Sequence, residues 1–264
     1  MCSAADCIVA VIGGTGKTGK WALKGALQRG FKEIRVLARS PAKLLPILEQ
    51  MFNSSDAKNC TDGKDEAGEM MKRLKVVSGS VTDTKALEEL LTGADVVLSF
   101  LGMSKPPDWI VSPGVEAIIA ALKGLDRPPK FVSMSSISLN ESRAQGNKAW
   151  GCCGCVAWIT RNVFLKQCFL DMNDAELKIE AARRESADSK LNIIIARGTI
   201  LADKKNYRKD YTDGKPSYRA NTPSDDPQGK LTMNVDRQHV AEFFLDVCVT
   251  STFDGKNASI FEKK

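Results

Sequence analysis

Three glycines near the N terminus have a spacing that is typical of phosphate-binding loops. Gly13, Gly16 and Gly19 lie in the stretch VIGGTGKTGK, directly after an apolar, strand-like run. The Gly-Lys-Thr triplet at 16–18 is like the end of a nucleoside-triphosphate loop. That loop needs a glycine five residues before its last one, however, and this chain has Val11 there. The G-x-x-G-x-x-G spacing between a strand and a helix therefore favours the pyrophosphate of a dinucleotide.

Each glycine of this pattern has a physical role. Gly13 lets the chain turn sharply, Gly16 lets the backbone approach the pyrophosphate, and Gly19 lets the helix pack close to the sheet. The N terminus of the helix supplies N–H groups and a partial positive charge to the phosphates. The alternative is a glycine-rich turn that binds nothing.

The end of the second predicted strand indicates which dinucleotide is bound. NAD-binding proteins usually have an acid about 20 residues beyond the glycines, which hydrogen bonds to the ribose hydroxyls. Here the strand ends in Arg39-Ser40, and Lys43 follows one helical turn later. A guanidinium is suited to a 2′-phosphate, so we predict NADP(H) as the cofactor. The alternative is that Arg39 only covers a solvated edge of the sheet.

Apolar runs alternate with amphipathic stretches along the chain, which indicates strand-helix-strand units. We predict an α/β fold, a Rossmann-like doubly wound parallel sheet, in a single domain over residues 1–264. Two stretches, near 53–73 and 140–172, interrupt the alternation and are predicted to be insertions. The second is either a helix that covers a site or a hydrophobic patch for a partner. Strands are expected near 7–12, 34–38, 75–78, 96–100, 130–134, 192–196 and 258–261, and helices near 17–29, 41–51, 84–91, 113–122, 174–186 and 236–249.

Composition and charge exclude several classes of protein. The net charge of +6 fits an anionic ligand, but the basic residues form no long block, so nucleic acid is not an expected partner. The first predicted strand begins too early for a signal peptide, and the apolar stretches are too short to span a bilayer. We therefore expect a cytoplasmic protein with no membrane span.

The cysteines are expected to be reduced thiols that bind no metal. Eight cysteines in a chain of 264 residues with no secretion signal do not indicate a disulfide framework. Cys152, Cys153 and Cys155 are close in sequence, but no second cysteine pair follows at zinc-binding distance, and the only histidine is His239.

Several longer segments resemble a known family. VIGGTGKTG, VLARSPAKL, KFVSMSS, YTDGKPS and the tail VDRQHVAEFFLDVCVTSTFDGKNASIF are similar to the atypical short-chain dehydrogenase/reductases of the NAD(P)H-binding, NmrA-like group. Within that group the resemblance is greatest to the biliverdin and NADPH-dependent flavin reductases. The glycine pattern is common to the whole superfamily, whereas the tail and YTDGKPS are specific to the narrower family.

The resemblance implies a set of site residues. Ser136 would lie near the substrate and orient it. The family usually has an aspartate where Ser80 stands, and its flavin reductase has a histidine where Thr199 stands, so this chain departs from the pattern at two positions. The residues implied for binding the phosphates are Gly13, Thr15, Gly16, Lys17 and Thr18 for the pyrophosphate, and Arg39 and Ser40 for the 2′-phosphate. Those implied for the rings and sugars are Ser80 and Val81 along the adenine, Leu101, Gly102 and Met103 under the nicotinamide ribose, and Ser133, Met134 and Ser135 beside the nicotinamide. Thr199 and Ile200, after the sixth strand, complete the set.

The chain lacks a convincing general acid. Most short-chain dehydrogenases protonate a carbonyl through Tyr-x-x-x-Lys on a helix. Tyr211 and Lys215 have that spacing, but Asp213-Gly214 between them is a turn signal. We therefore expect a small-molecule acceptor that takes hydride without a protein acid, namely a flavin, a tetrapyrrole or a quinone. The alternative function is a non-catalytic NADP(H) sensor or assembly protein, with a protein partner at the Trp/Cys-rich residues 148–168.

Overall fold

A computed structural model describes residues 3–53, 71–102, 109–150, 158–185, 191–203, 216–223 and 231–263. The strands are β1 Ile8–Ile12, β2 Glu33–Ala38, β3 Leu74–Ser78, β4 Val96–Ser99, β5 Lys130–Ser136, β6 Ile193–Gly198, β7 Ile200–Ala202, β8 Tyr218–Asn221, β9 Asn234–Asp236 and β10 Asn257–Glu262. The helices are α1 Gly19–Gln28, α2 Leu44–Asn53, α3 Thr84–Leu91, α4 Val111–Lys123, α5 Arg143–Trp150, α6 Lys166–Glu185 and α7 Arg237–Val249.

Eight strands form one sheet in the order β3-β2-β1-β4-β5-β6-β10-β8, and β7 pairs with β9 separately. All neighbours in the large sheet are parallel except β8, which runs antiparallel to β10 at the edge. The strand order reverses between β1 and β4, because the chain fills one side of β1 before it crosses to the other. Such a reversal opens a crevice at the carboxyl ends of the strands, where ligands bind in open α/β sheets.

Helices cover both faces of the sheet, so its central strands are apolar on both sides. Val9 and Val11 of β1 pack with α1, α2 and α7 on one face. Ala10 and Ile12 pack with α3, α4 and α6 on the other. These layers and the strand order confirm the predicted Rossmann-like doubly wound α/β fold. None of the helices in the described parts of the chain is long and apolar enough to cross a membrane.

The structure differs from the predicted elements in three places. The helix α6 begins at Lys166, eight residues before the predicted start at 174. The strands β7, β8 and β9 were not predicted, because they have only three or four residues, and β8 and β9 include polar ones. The predicted insertion near 140–172 contains a 3-10 turn at Asn140–Ser142, the helix α5, a π-helical turn at Thr160–Phe164 and the first turns of α6. Residues 54–70 of the other predicted insertion lie outside the described residues.

Candidate functional site

The glycine loop between β1 and α1 is too tightly packed for a side chain at positions 13 and 19. Gly13 has a positive φ of 78°, so the chain turns sharply as β1 ends. The Gly16 N–H donates to the Gly13 carbonyl over 3.0 Å and closes the turn. A Cβ atom on Gly19 would lie only 2.2 Å from the Gly13 carbonyl oxygen. The loop thus needs glycine at position 13 for the turn and at position 19 for the close packing of α1.

The N terminus of α1 is arranged to attract an anion. Thr18 is the N-cap residue, but its side chain makes no capping hydrogen bond, and the first turn of α1 has no acidic residue. Thr18 is buried, whereas Thr15, Gly16 and Lys17 are exposed. N–H groups without side-chain caps and the positive end of the helix dipole favour a phosphate at this position.

A cleft of about 580 Å³ opens beside the glycine loop at the carboxyl ends of β1 to β4. Its volume lies in the range of small-molecule sites in proteins. The residues that line it are Ile12, Gly13, Thr15, Leu37, Ala38, Arg39, Ser40, Lys43, Ile47, Gly79, Ser80, Val81, Leu101 and Ile110.

One end of the cleft is cationic. Arg39 and Ser40 follow β2 directly, and Lys43 comes one turn later; all three side chains are exposed. Neither Arg39 nor Lys43 makes an ion pair with any described residue, and none of the described residues that line the cleft is acidic. Two cations and a hydroxyl at one end of the cleft, with no carboxylate among its described lining residues, can bind a phosphate group.

The other wall of the cleft is largely apolar. Val81 and Leu37 are buried, and Ile47 and Ile110 are partly buried at the cleft surface. Ser80 lies in the wall too, with its Oγ 3.2 Å from Thr82 Oγ1. Sequence reasoning missed Ile47, Ile110 and Leu37, and it noted Lys43 without assigning it to the site. The position of Lys43 and Ile47 at i and i+4, on one side of a helix after β2, was the available signal.

The predicted residues at the ends of β5 and β6 form a second, neighbouring group that does not line the cleft. Met134 approaches the chain beside the cleft, because its Cε lies 3.2 Å from where a Cβ on Gly102 would stand. Gly102 follows the cleft residue Leu101 but does not itself line the cleft. Ser136 Oγ accepts the N–H of Ser138 over 3.3 Å. The remaining members of this group are Ser133, Ser135, Thr199 and Ile200, the last being 40% exposed at the start of β7.

Three buried hydroxyls at these strand ends have no hydrogen-bond partner in the described part of the chain: those of Ser99, Ser135 and Thr199. A buried hydroxyl without a partner costs roughly 1–3 kcal/mol. Such groups are usually satisfied by water or by a ligand. Ser99 lies two residues after Val97, and Ser135 lies four residues after Phe131. Both serines therefore point to the same face as these apolar residues, which is the α4 and α6 side of the sheet.

A buried ion pair fixes the loop beside Ser136. Arg197 on β6 lies in register with Ser135, and its Nε and Nη2 contact the two carboxylate oxygens of Glu176 at 2.9 and 2.8 Å. Its Nη1 contacts Glu141 at 2.9 Å. Burial alone would lower the pKa of Arg197, but the hydrogen bonds and charges of the two carboxylates raise it. The charge therefore persists. Asn140 also donates to Glu176 and has a positive φ of 44°.

Other predicted residues lie away from the cleft or outside the described residues. Gly16, Lys17 and Thr18 are in the glycine loop but do not line the cleft. Met103, the three cysteines at 152, 153 and 155, and Tyr211 lie outside the described residues, as does Lys215. Among the residues that are described, no three His, Cys, Asp or Glu side chains are grouped closely enough to hold a metal ion.

Of the three tyrosines, only Tyr218 lies within the described ranges. Its hydroxyl donates to Asp246 on α7 over 2.5 Å, and the same carboxylate contacts Arg29 at 2.6 Å. Burial, followed by the charge of Asp246, raises the pKa of Tyr218 above its ordinary value. This tyrosine is held protonated in a structural contact and does not line the cleft.

Comparison with known proteins identifies the kind of protein to which this fold and cleft belong. A sequence model of an NAD(P)H-binding family matches residues 47–250. No curated protein matches the sequence significantly. The matched residues begin after the glycine loop and Arg39, so the loop and the cationic end of the cleft are observations independent of that match.

Solved structures with the same fold cover nearly the whole chain. A short-chain dehydrogenase/reductase from Veillonella parvula in complex with NADP is 16% identical, with 97% of this chain and 94% of that chain covered and a TM-score of 0.62. An anaerobillin reductase from Escherichia coli O157:H7 is 14% identical, with coverages of 97% and 98% and a TM-score of 0.61. A putative NADH-flavin reductase from Streptococcus pneumoniae is 14% identical, with coverages of 97% and 100% and a TM-score of 0.62. These similarities establish a single-domain, Rossmann-like fold.

Proposed function

The chain belongs to the NAD(P)H-binding family whose model matches residues 47–250, and from that premise we propose that it is an NADPH-dependent oxidoreductase. Its acceptor would be a flavin or a related planar conjugated molecule such as a tetrapyrrole or a quinone. The observation that carries the proposal is the cleft between the glycine loop and Arg39, which is cationic at one end and apolar along its wall.

The described residues fit a dinucleotide phosphate. Gly13 turns the chain, Gly19 lets α1 start close to the loop, and the exposed Gly16 between them would let the backbone approach a pyrophosphate. Arg39 and Ser40 would hold the 2′-phosphate, with Lys43 as an additional cation. An arginine in place of the usual acid favours NADPH over NADH, because it pairs with the phosphate that an acid would repel.

The proposed acceptor class is supported by the lack of a suitable proton donor among the described residues of the site. Tyr218 is bound to Asp246 on α7, and the side chains at the ends of β5 and β6 are hydroxyls and a guanidinium, which do not exchange protons near neutral pH. A conjugated acceptor takes a hydride without a protein acid and receives its proton from water. Bound NADPH would supply that hydride.

The hydroxyls at the ends of β5 and β6 would orient the acceptor. Ser135 and Thr199 each have unused hydrogen-bonding capacity in the described structure. Ser136 accepts one backbone N–H and keeps its own proton to donate. The ion pair of Arg197 with Glu176 would act as a positioning element, since it fixes the end of β6, and Thr199 comes directly after that strand.

The experiment is NADPH oxidation by the purified protein, followed by loss of reduced-nicotinamide absorbance. FMN, riboflavin, biliverdin and a simple quinone are offered in turn, with NADH in parallel. We expect saturable turnover with at least one acceptor and a preference for NADPH. Turnover with NADH alone would overturn the cofactor assignment.

A second function is favoured by one observation, namely that the described side chains near Ser136 contain no group that titrates near neutral pH. A non-catalytic NADP(H) sensor would need only the glycine loop and Arg39. Tight binding of NADPH without turnover on any acceptor would favour this alternative and contradict the reductase.

A further inference from the structure

An exposed apolar surface lies on the segment that leads into α6. Trp158, Ile159, Val163, Phe164 and Leu170 are 55%, 43%, 60%, 77% and 50% exposed. Five large apolar side chains this exposed, within 13 residues of one another, are unusual on a soluble surface. Large apolar side chains that are exposed this close together in the chain indicate an interaction site. We call these five residues the apolar surface.

The charged residues along the segment that carries the apolar surface have one sign. No Asp or Glu occurs from residue 142 to 170, although acids make up 32 of the 264 residues of the chain. The same stretch contains Arg143, Lys148, Arg161 and Lys166. Of these, Arg143, Lys148 and Lys166 have exposed side chains. The apolar surface is therefore set in a region with a net positive charge.

The acids that end this region are turned away from it or are already paired. The Asp171 carboxylate accepts the N–H groups of Val111 and Ser112 over 3.0 and 2.8 Å, at the start of α4. Farther along α6, Asp174 contacts Lys178 at 3.2 Å. The positive region thus ends at Leu170.

Exposed Trp and Phe with basic neighbours and no acid form the pattern of a segment that lies in the interface of a membrane. Aromatic rings lie at the level of the headgroups, and Lys and Arg are attracted to anionic lipids. A second copy of the chain would bring the same positive charges against each other in a symmetric interface. We infer that the protein docks on anionic membrane surfaces through the apolar surface and its basic surroundings.

The position of the apolar surface gives the docked protein a defined orientation. Asp171, one residue after Leu170, contacts the backbone at the start of α4, and Ile110 immediately before α4 lines the cleft. The apolar surface and the cleft therefore lie toward the same edge of the sheet. Docking would turn the cleft toward the bilayer.

The experiment is sedimentation of the full-length protein with vesicles of phosphatidylcholine that contain about one third phosphatidylserine. Vesicles of pure phosphatidylcholine are run in parallel. We expect binding to the anionic vesicles that weakens as salt is added, because salt screens the attraction. Phe164→Ser should weaken the partition coefficient on the order of tenfold, and Lys166→Glu about fivefold or more.

Matched control variants distinguish binding through the apolar surface from nonspecific adsorption of the protein to vesicles. Leu45→Ser removes an exposed leucine, 48% exposed, from α2, and Lys32→Glu reverses an exposed charge between α1 and β2. Both controls should bind the anionic vesicles like the wild-type protein. Circular dichroism and thermal melting of every variant show that binding, and not folding, has changed.

Four results would overturn the inference. The first is no sedimentation of the wild-type protein with anionic vesicles, and the second is equal binding to neutral vesicles. The third is an equal loss of binding in Phe164→Ser and Leu45→Ser. The fourth is a dimer by light scattering that Phe164→Ser dissociates, together with no vesicle binding, which would assign the surface to a second copy of the chain.

Discussion

Replacing Gly19 by alanine tests whether the glycine loop and α1 are packed as the structure has them. A Cβ at this position would lie 2.2 Å from the Gly13 carbonyl oxygen and 2.9 Å from both the Gly13 carbonyl carbon and the Gly14 Cα. All three are backbone atoms, so no flexible side chain can move away. The loop or the helix must shift by about 1 Å to restore an ordinary contact.

Two effects of opposite sign decide the result of Gly19→Ala. Alanine in place of glycine favours a helix by about 1 kcal/mol. Overpacking against backbone costs roughly 1–3 kcal/mol and here lies at the upper end, since every contact is with main chain. We therefore expect a net loss of about 1–2 kcal/mol in the free energy of unfolding. NADPH affinity should fall by about tenfold or more, because a shift of about 1 Å moves backbone N–H groups out of hydrogen-bonding distance of the pyrophosphate.

Urea denaturation and NADPH titration measure the two effects separately. Gly124→Ala is the matched control, because its nearest neighbour would lie 3.5 Å from the added Cβ at the end of α4. It should leave stability and NADPH affinity unchanged or raise stability slightly. If Gly19→Ala proved as stable as the wild-type protein, or more stable, the close contact of α1 with the loop would be refuted.

Three further predictions concern side chains outside the glycine loop. Arg197→Met should lower the free energy of unfolding by about 3–5 kcal/mol, because it leaves the buried carboxylate of Glu176 without its cation. Adding Glu176→Leu should recover much of that free energy in urea titrations, and no recovery would contradict the ion pair. Tyr218 has a raised pKa, so the folded state keeps a proton that the unfolded chain loses. The free energy of unfolding should therefore fall as the pH rises above about 10, and Tyr218→Phe should remove that dependence without reducing NADPH oxidation. Ser135→Ala should leave the free energy of unfolding unchanged or raise it by up to about 1 kcal/mol, since the hydroxyl has no described partner. We expect kcat/KM for the acceptor to fall about tenfold. A clear loss of stability would show that the hydroxyl is already hydrogen bonded in the free protein.

Much of the cleft could be predicted from the sequence, because its residues follow predicted strands directly. Gly13, Arg39, Ser80 and Leu101 each come just after a strand of the parallel sheet, and such a sheet brings its carboxyl ends to one edge. Ile110 lines the same cleft from the turn before α4, and its approach depends on how that helix packs. Local sequence patterns carry little information about such packing.

The start of α6 and the edge strand β8 could not be predicted for the same reason, because both depend on contacts with distant parts of the chain. The first turns of α6 expose Leu170 and lack a regular apolar face, and they are held by the contact of Asp171 with Val111, sixty residues away in sequence. The polar sequence of β8 becomes a strand only through its pairing with β10. Likewise, the pairing of Arg197 with Glu176 depends on how α6 lies against β6, although an arginine within a buried strand was a signal that it needed an acidic partner.

The most direct test of the central claim is the dissociation constant of NADPH and of NADH for the wild-type protein and for Arg39→Ala, measured by titration calorimetry. Lys32→Ala, which changes an exposed cation at the opposite edge of the sheet, is the control. We predict that the wild-type protein binds NADPH more tightly than NADH by about tenfold or more, and that Arg39→Ala removes this preference while its NADH affinity is unchanged. An Arg39→Ala protein that keeps its NADPH affinity would contradict the assignment of the 2′-phosphate to this end of the cleft.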